Sequence, residues 1–373
     1  MSSITEWNQL LRRAVAAFIE WRFRKRSASL ALIGLGVSIL VAALGGLAVR
    51  FRSGDTEFEF GGGASFALSA VGLAVGAALV GLGTWLLLQD RREEREARER
   101  KRVLVVEQRG LQRRFSTALR EALPRALVGQ IVEKVIDVTP YFRDGVLAEQ
   151  AAAFMHVRDA RAVLRQGLGD AQPADVTVVY GGVSPVPLTF LAGTFFDDES
   201  RVVVMDWDRT AEGWRTLDGV DDGDRLSEPD LSSVSDGTDE VSIAISVSYE
   251  VDVEAARRLD PSRPMLALRM GKVFVGNHWS EDKQCAMAET FVRTLSQLAN
   301  RGVRTVHLFL AAPNSVVFRL GRCIDIRNMP TVQVYQHERS DPIVFPWSIM
   351  MPCHGAPEPA YCPTLPCEVT AAP

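Results

Sequence analysis

The chain has 373 residues, with 42 Lys and Arg against 46 Asp and Glu; the net charge of −4 and pI near 5.9 exclude a general polynucleotide-binding surface. Five cysteines (Cys285, Cys323, Cys353, Cys362 and Cys367) are too few, and odd in number, for a disulfide framework, and they fit a reducing compartment. The length allows two ordinary domains, or one domain and an anchor.

Residues 1–26 are predicted to hold an amphipathic helix. Ile4, Trp7, Leu10, Leu11, Ala14, Val15, Phe18 and Trp21 recur at helical spacing, and Ser3 with Glu6 makes a capping box. The pattern suits a helix lying on the inner leaflet. Ala28–Val49 then runs for 22 residues without an ionisable side chain, and Ala64–Leu88 for 25 more. At about 1.5 Å per residue each is long enough for the hydrocarbon core, so residues 27–88 are predicted to form a two-helix transmembrane hairpin. The flanks set its orientation. Arg12, Arg13, Arg22, Arg24, Lys25 and Arg26 precede the first span, and Arg91, Arg92, Arg95, Arg98, Arg100, Lys101 and Arg102 follow the second. The positive-inside rule puts both chain ends in the cytoplasm and the loop Arg50–Gly63 outside. Small residues crowd the spans, among them Gly34, Gly36, Gly45, Gly46, Gly72, Gly76 and Gly83. They permit close helix packing, either within one hairpin or between hairpins of several protomers.

Residues 89–172 are predicted to be a charged helix, Gln89–Arg102, followed by a small helical connector with breaks at Pro124 and Pro140. From Asp175 the pattern changes to strands alternating with helices. Val176–Tyr180 and Arg201–Trp207 read as strands, and the acidic loop Asp218–Glu240 follows. The pattern then restarts. Val241–Tyr249, Met265–Met270, Thr305–Ala311 and Thr331–His337 are strands, with helices at Val253–Leu259, Ser280–Asn300 and Ser315–Cys323. The fold class expected is a membrane α-helical hairpin plus α/β, with two Rossmann-like halves and mostly parallel sheets. Residues 351–373 form a Pro-rich tail that is expected to be disordered.

Three stretches of the second half carry a signature. His307 to Ser315 reads His-Leu-Phe-Leu-Ala-Ala-Pro-Asn-Ser, Phe318 to Arg322 reads Phe-Arg-Leu-Gly-Arg, and Val332 to Arg339 reads Val-Gln-Val-Tyr-Gln-His-Glu-Arg. Together they resemble the C-terminal part of the SAVED domain. Val178–Gly182 and Val241–Tyr249 fit the same family less specifically, and residues 173–350 are assigned to the SAVED-like sensor. The resemblance implies two CARF-like halves that bind a cyclic di- or trinucleotide made by a partner synthase in bacterial CBASS anti-phage defence. It further implies a membrane effector that oligomerises on ligand binding and disrupts the inner membrane, with no DNA or RNA polymer as partner.

In open α/β sheets ligands gather at the carboxyl ends of strands. The residues expected there are Gly181, Gly182 and Ser184, then Ser248 and Tyr249, then Pro313, Asn314 and Ser315. Asn314 and Ser315 open a helix whose amides suit a phosphate, and Arg319 lies one turn on. Trp207, Tyr249 and Tyr335 are candidates for base stacking, and Lys272 follows a strand. Each has a plain structural alternative, such as a tight turn at Gly181-Gly182 or an ordinary cap at Asn314-Ser315. His337-Glu338 reads as satisfied polar groups, and Cys353, His354, Cys362 and Cys367 match no zinc spacing. No P-loop, HExxH or GxSxG occurs, so neither catalysis nor a cofactor is expected. The alternative function is a membrane-anchored enzyme that degrades the nucleotide signal.

Overall fold

The computed structural model describes residues 28–45, 49–53, 56–60, 66–111, 117–169, 171–196, 201–339 and 343–364. The amphipathic helix expected within residues 1–26, the basic flank around it, and the tail from residue 365, with Cys367, lie outside the described residues. The chain divides into two compact units, Met1–Glu99 and Arg100–Pro373.

In the first unit helix α1 spans Ala28–Gly45, an antiparallel hairpin pairs β1 (Val49–Ser53) with β2 (Thr56–Phe60), and helix α2 runs from Phe66 to Arg100. The first helix stops short of the predicted Val49, which instead opens β1. Among the described residues one helical stretch, Ala70–Glu93, is long and apolar enough to cross a membrane; the apolar part of α1, Ser29–Leu44, is shorter. The small residues are used inside the hairpin. A Cβ on Gly36 would sit 2.8 Å from the Gly76 carbonyl oxygen, and one on Gly83 would sit 2.7 Å from that of Ser29. Backbones this close need glycine. Gly34 and Gly81 face open space. The second helix continues without a break from apolar residues into the charged segment that ends at Arg100.

The second unit holds two sheets of one topology. The first has strand order β4-β3-β7-β8-β9, from β3 (Arg102–Arg109), β4 (Gln130–Asp137), β7 (Val176–Val183), β8 (Arg201–Asp208) and β9 (Gly213–Thr216). The second has order β11-β10-β12-β13-β14-β15, from β10 (Glu240–Ser246), β11 (Met265–Arg269), β12 (Thr305–Ala311), β13 (Thr331–Gln336), β14 (Trp347–Met350) and β15 (Ala360–Pro363). In each sheet the first four strands are parallel and those beyond are antiparallel. A small ribbon, β5 (Phe142–Arg143) with β6 (Val146–Leu147), lies outside both.

The crossovers match as well. Helix α3 (Gln150–Leu168) corresponds to α6 (Glu281–Asn300), and α4 (Val186–Gly193) corresponds to α7 (Asn314–Arg322); α5 (Val253–Leu259) joins β10 to β11. The two Rossmann-like halves expected from the sequence are therefore present, but the first begins at Arg102. The region predicted to be a helical connector contains strands β3 and β4. Val103-Leu-Val-Val-Glu-Gln is buried on both faces, so it shows no alternation. The tail also departs from expectation: residues 360–363 form β15, and Tyr361 Oη donates a 2.8 Å hydrogen bond to Gln150 Oε1.

The halves meet where α4 crosses α7. A Cβ on Gly193 would lie 2.3 Å from the Phe318 carbonyl oxygen, and a Cβ on Gly321 would lie 2.2 Å from that of Phe190. Phe190 and Gly193 stand 128 residues before Phe318 and Gly321, so one Phe-x-x-Gly unit serves both helices. Tyr180 on β7 stacks on Phe318 with ring centroids 3.6 Å apart. This crossing fixes where the carboxyl ends of the two sheets converge.

Candidate ligand pocket at the paired strand ends

β7 and β12 each run into a helix through a proline. Pro185 precedes α4 and Pro313 precedes α7, and both adopt the extended backbone of a helix cap. Proline suits a helix start because it has no N–H to leave unsatisfied. The two helix starts are then capped across the repeat boundary. Val186 N donates to Gln336 Oε1 at 3.0 Å, and Ser184 N donates to Asn314 Oδ1 at 3.3 Å. In the opposite direction Ser315 N donates to Asp206 Oδ2 at 3.1 Å. Asp206 and Gln336 occupy equivalent places. Each follows the residue (Met205, Tyr335) paired with the position five residues before its own half's helix, Gly181 or Phe309.

Between these ends lies a cavity of about 590 Å³. Six of the sequence-predicted residues line it: Ser184, Trp207, Ser248, Tyr249, Pro313 and Asn314. Tyr249 is half exposed and presents its ring, whereas Trp207 is buried edge-on against Trp214. The other six lie elsewhere, each for a physical reason. Gly181 and Gly182 sit inside β7, where an added Cβ would press on Leu119 or on the Tyr180 hydroxyl. Ser315 is buried, with its amide on Asp206 and its hydroxyl accepting from Gln284 Nε2, so this helix start holds a carboxylate of the protein. Arg319 turns to α6, donating to Glu281 Oε1 at 2.7 Å and Gln284 Oε1 at 3.2 Å. Tyr335 packs between Phe309 and Phe345 and bonds His307 Nδ1; burial pushes its phenol up to about 12. Lys272 lies outside the lining, its amide donating to Asp224.

Sequence reasoning missed much of the charge in the pocket. Asp206, Asp208, Glu250 and Asp252 face it, with Arg209 and Arg339 as the cations, and His278 and His337 beside them. His337, read from the sequence as a satisfied polar group, is part of the wall. Asp208 is held below the ordinary carboxylate range by the backbone amides of Ala211 and Thr210 and by Arg215. Asp252 is occupied in capping α5 at Ala255 N. Trp279 forms another wall, with the Arg215 guanidinium 4.8 Å over its ring. The pocket thus offers two arginines, two imidazoles, aromatic faces and hydroxyls, balanced by carboxylates able to accept from base amino groups. The 128-residue repeat of Phe-x-x-Gly was the signal that would have located the first half's strand ends.

Residues 8–154 match the SAVED-fused 2TM effector domain, and residues 158–351 match the SMODS-associated and fused to various effectors sensor domain, SAVED. No curated protein matches the chain. Among solved structures, the chain is similar to the Acinetobacter baumannii Cap4 SAVED/CARF-domain containing receptor with the cyclic trinucleotide 3′3′3′-cAAA, at 10% identity over 73% of this chain and 58% of that one, with TM-score 0.46. The same receptor with 2′3′3′-cAAA gives 12% identity, 72% and 58% coverage, and TM-score 0.42. The Moraxella osloensis Cap4 receptor gives 12%, 66% and 48%, and TM-score 0.40. The chain spans less than two thirds of each of these receptors. With more than half of its length matched by the sensor-domain family, the chain belongs to the SAVED family and carries its sensor behind a 2TM effector domain.

Proposed function

We propose that the protein is an anti-phage membrane effector that binds a cyclic di- or trinucleotide, oligomerises on binding, and breaches the inner membrane through its two-helix hairpin. The observation that carries this reading is the cavity at the converging strand ends of two matched repeats. It offers ring faces for bases and paired cations for phosphates in one place. A pseudo-symmetric pocket suits a ligand that is itself a ring of similar units. The cyclic trinucleotides named with the two Acinetobacter baumannii receptor structures make adenine-containing rings the first compounds to try. On this reading both chain ends lie in the cytoplasm, where a synthase product would be made. The exposed leucines and valines of both helices suit contact with lipid. The reading assigns the protein no chemistry on its ligand.

The test uses the full chain reconstituted in dye-loaded liposomes of bacterial lipid, challenged with a panel of cyclic di- and trinucleotides. Dye release with one of them, and none without it, is expected. Release with none of the panel, or release independent of ligand, overturns the reading.

A further inference from the structure

His278 is an anomaly among the pocket residues. It is 6% exposed and lines the cavity, yet among the described residues neither ring nitrogen has a hydrogen-bond partner. A buried imidazole that serves only packing normally finds partners for its nitrogens. Nε2 lies 3.4 Å from Asp206 Oδ2, close enough for a charge pair, but the N–H is not aligned for a hydrogen bond.

The backbone around it leaves little room for adjustment. The His278 carbonyl accepts from Gln284 Nε2 at 2.8 Å, and the Trp279 carbonyl accepts from Gly219 N at 2.8 Å. The side chain of Asn277, one residue earlier, is held between the Lys272 carbonyl and Lys283. Asp206 is equally fixed, since it already receives Trp207 N and Ser315 N. A pinned carboxylate beside an imidazole carried on a hydrogen-bonded backbone, with no bond to its ring among the described residues, is a ready seat for an imidazolium, whose other N–H remains for an incoming acceptor.

We propose that His278 receives a phosphodiester of the ligand as an imidazolium backed by Asp206, so that ligand binding takes up a proton. The inference rests on the nucleotide reading above. The charged and titratable groups around His278 fit it. Asp206 Oδ2 lies 3.4 Å from Nε2, Asp208 lines the same cavity, Trp279 packs against the ring at 4.4 Å, and Arg209 and Arg339 are the cations of that cavity. An entering phosphodiester supplies a second anionic partner, which favours the charged form of the ring in the complex. Tighter binding toward lower pH follows, because the bound state holds the extra proton. His337 is the other imidazole lining the pocket, so it is the residue to separate from His278.

The experiment is calorimetric titration of the full chain in detergent with the panel of cyclic di- and trinucleotides, in two buffers of unlike ionisation enthalpy, at about pH 6 and about pH 8. For the compound that binds, the expected result is net proton uptake and about tenfold tighter binding at the lower pH. His278→Gln is expected to lose about tenfold in affinity at the lower pH and to abolish the uptake. His337→Gln is expected to keep the uptake, and thermal melts check that both variants fold. Binding without proton uptake, uptake that survives His278→Gln, or uptake that vanishes only with His337→Gln overturns the inference while leaving the nucleotide reading in place. If no panel member binds at either pH, the nucleotide reading fails and the inference fails with it. Should His278→Gln not fold, proton uptake by the unmodified protein together with the His337→Gln result still decides the matter.

Discussion

The two repeats of the α/β unit share strand order, a proline at the helix start and a Phe-x-x-Gly crossing, yet they differ in charge where it matters. Gln336 caps α4 with a neutral amide, while Asp206, at the matching place, caps α7 with a carboxylate. A carboxylate at a helix N-terminus gains about 0.3–1 kcal/mol from the helix dipole that an amide does not. The duplicated backbone therefore shapes a near-symmetric cavity, and the positions where the repeats diverge set its charge pattern. The lesson is that fold symmetry and ligand symmetry need not coincide: a ring of identical units would meet a carboxylate at one helix start and an amide at the other.

The sharpest way to break the comparison is at the crossing shared by both repeats. Gly321→Ala places a Cβ 2.2 Å from the Phe190 carbonyl oxygen, and backbone cannot yield as a flexible side chain would. A stability loss of about 3 kcal/mol is expected, read by thermal unfolding followed by circular dichroism. Gly193→Ala should cost a similar amount; a neutral result at either would refute the shared crossing.

Next in size is an effect confined to the second repeat. Burial holds the His307 imidazole down at about 4, with Arg263 acting in the same direction and Glu240 against it. The unfolded chain binds this proton near the ordinary value of 6.5, so the stability it confers is complete above about pH 6.5. It is lost progressively as pH falls toward about 4. The equivalent position in the first repeat is Val179, which does not titrate. His307→Gln should flatten the pH dependence of the urea midpoint across that window, and an unchanged slope would remove His307 as its source.

The caps come third. Asp206→Ala removes a charge-assisted hydrogen bond and should cost about 2 kcal/mol, whereas Gln336→Ala removes a neutral one and should cost about 1 kcal/mol. Equal losses in urea denaturation would show that the charge difference between the repeats has no energetic weight. Smallest is Arg215→Ala. Loss of its cation–π contact with Trp279 should cost about 0.5 kcal/mol while leaving the crossing untouched.

Much of the second repeat was legible because its strands are β-branched runs bounded by turns. Thr305–Ala311 and Thr331–Gln336 fall almost where the pattern puts them. Helix α6 is capped by Ser280, whose hydroxyl accepts from Lys283 N as a cap should. The first repeat was harder. Its opening strand, buried on both faces, lacks alternation and directly follows a charged helix, so periodicity alone pointed to more helix. In the pocket, Ser184, Tyr249 and Asn314 were found by the strand-end rule. Asp206, His278 and Gln336 were not, because their positions depend on contacts across the repeat boundary that no local spacing encodes. The Gly181-Gly182 pair was a signal of tight packing inside β7 rather than of a ligand.

The last strand bears on where this sensor can be cut. The SAVED match ends at residue 351, but the chain returns as β15 to cover β14 and fastens Tyr361 to Gln150 in the first repeat. A soluble piece stopping at Met351 would bare the edge of β14, a row of unpaired amides and carbonyls beside the buried Trp347. Such an edge recruits strands from other molecules. Apparent self-assembly of a piece trimmed at that boundary would report an exposed sheet edge and say nothing about ligand-driven association, whereas a piece carried through Thr364 keeps its edge covered.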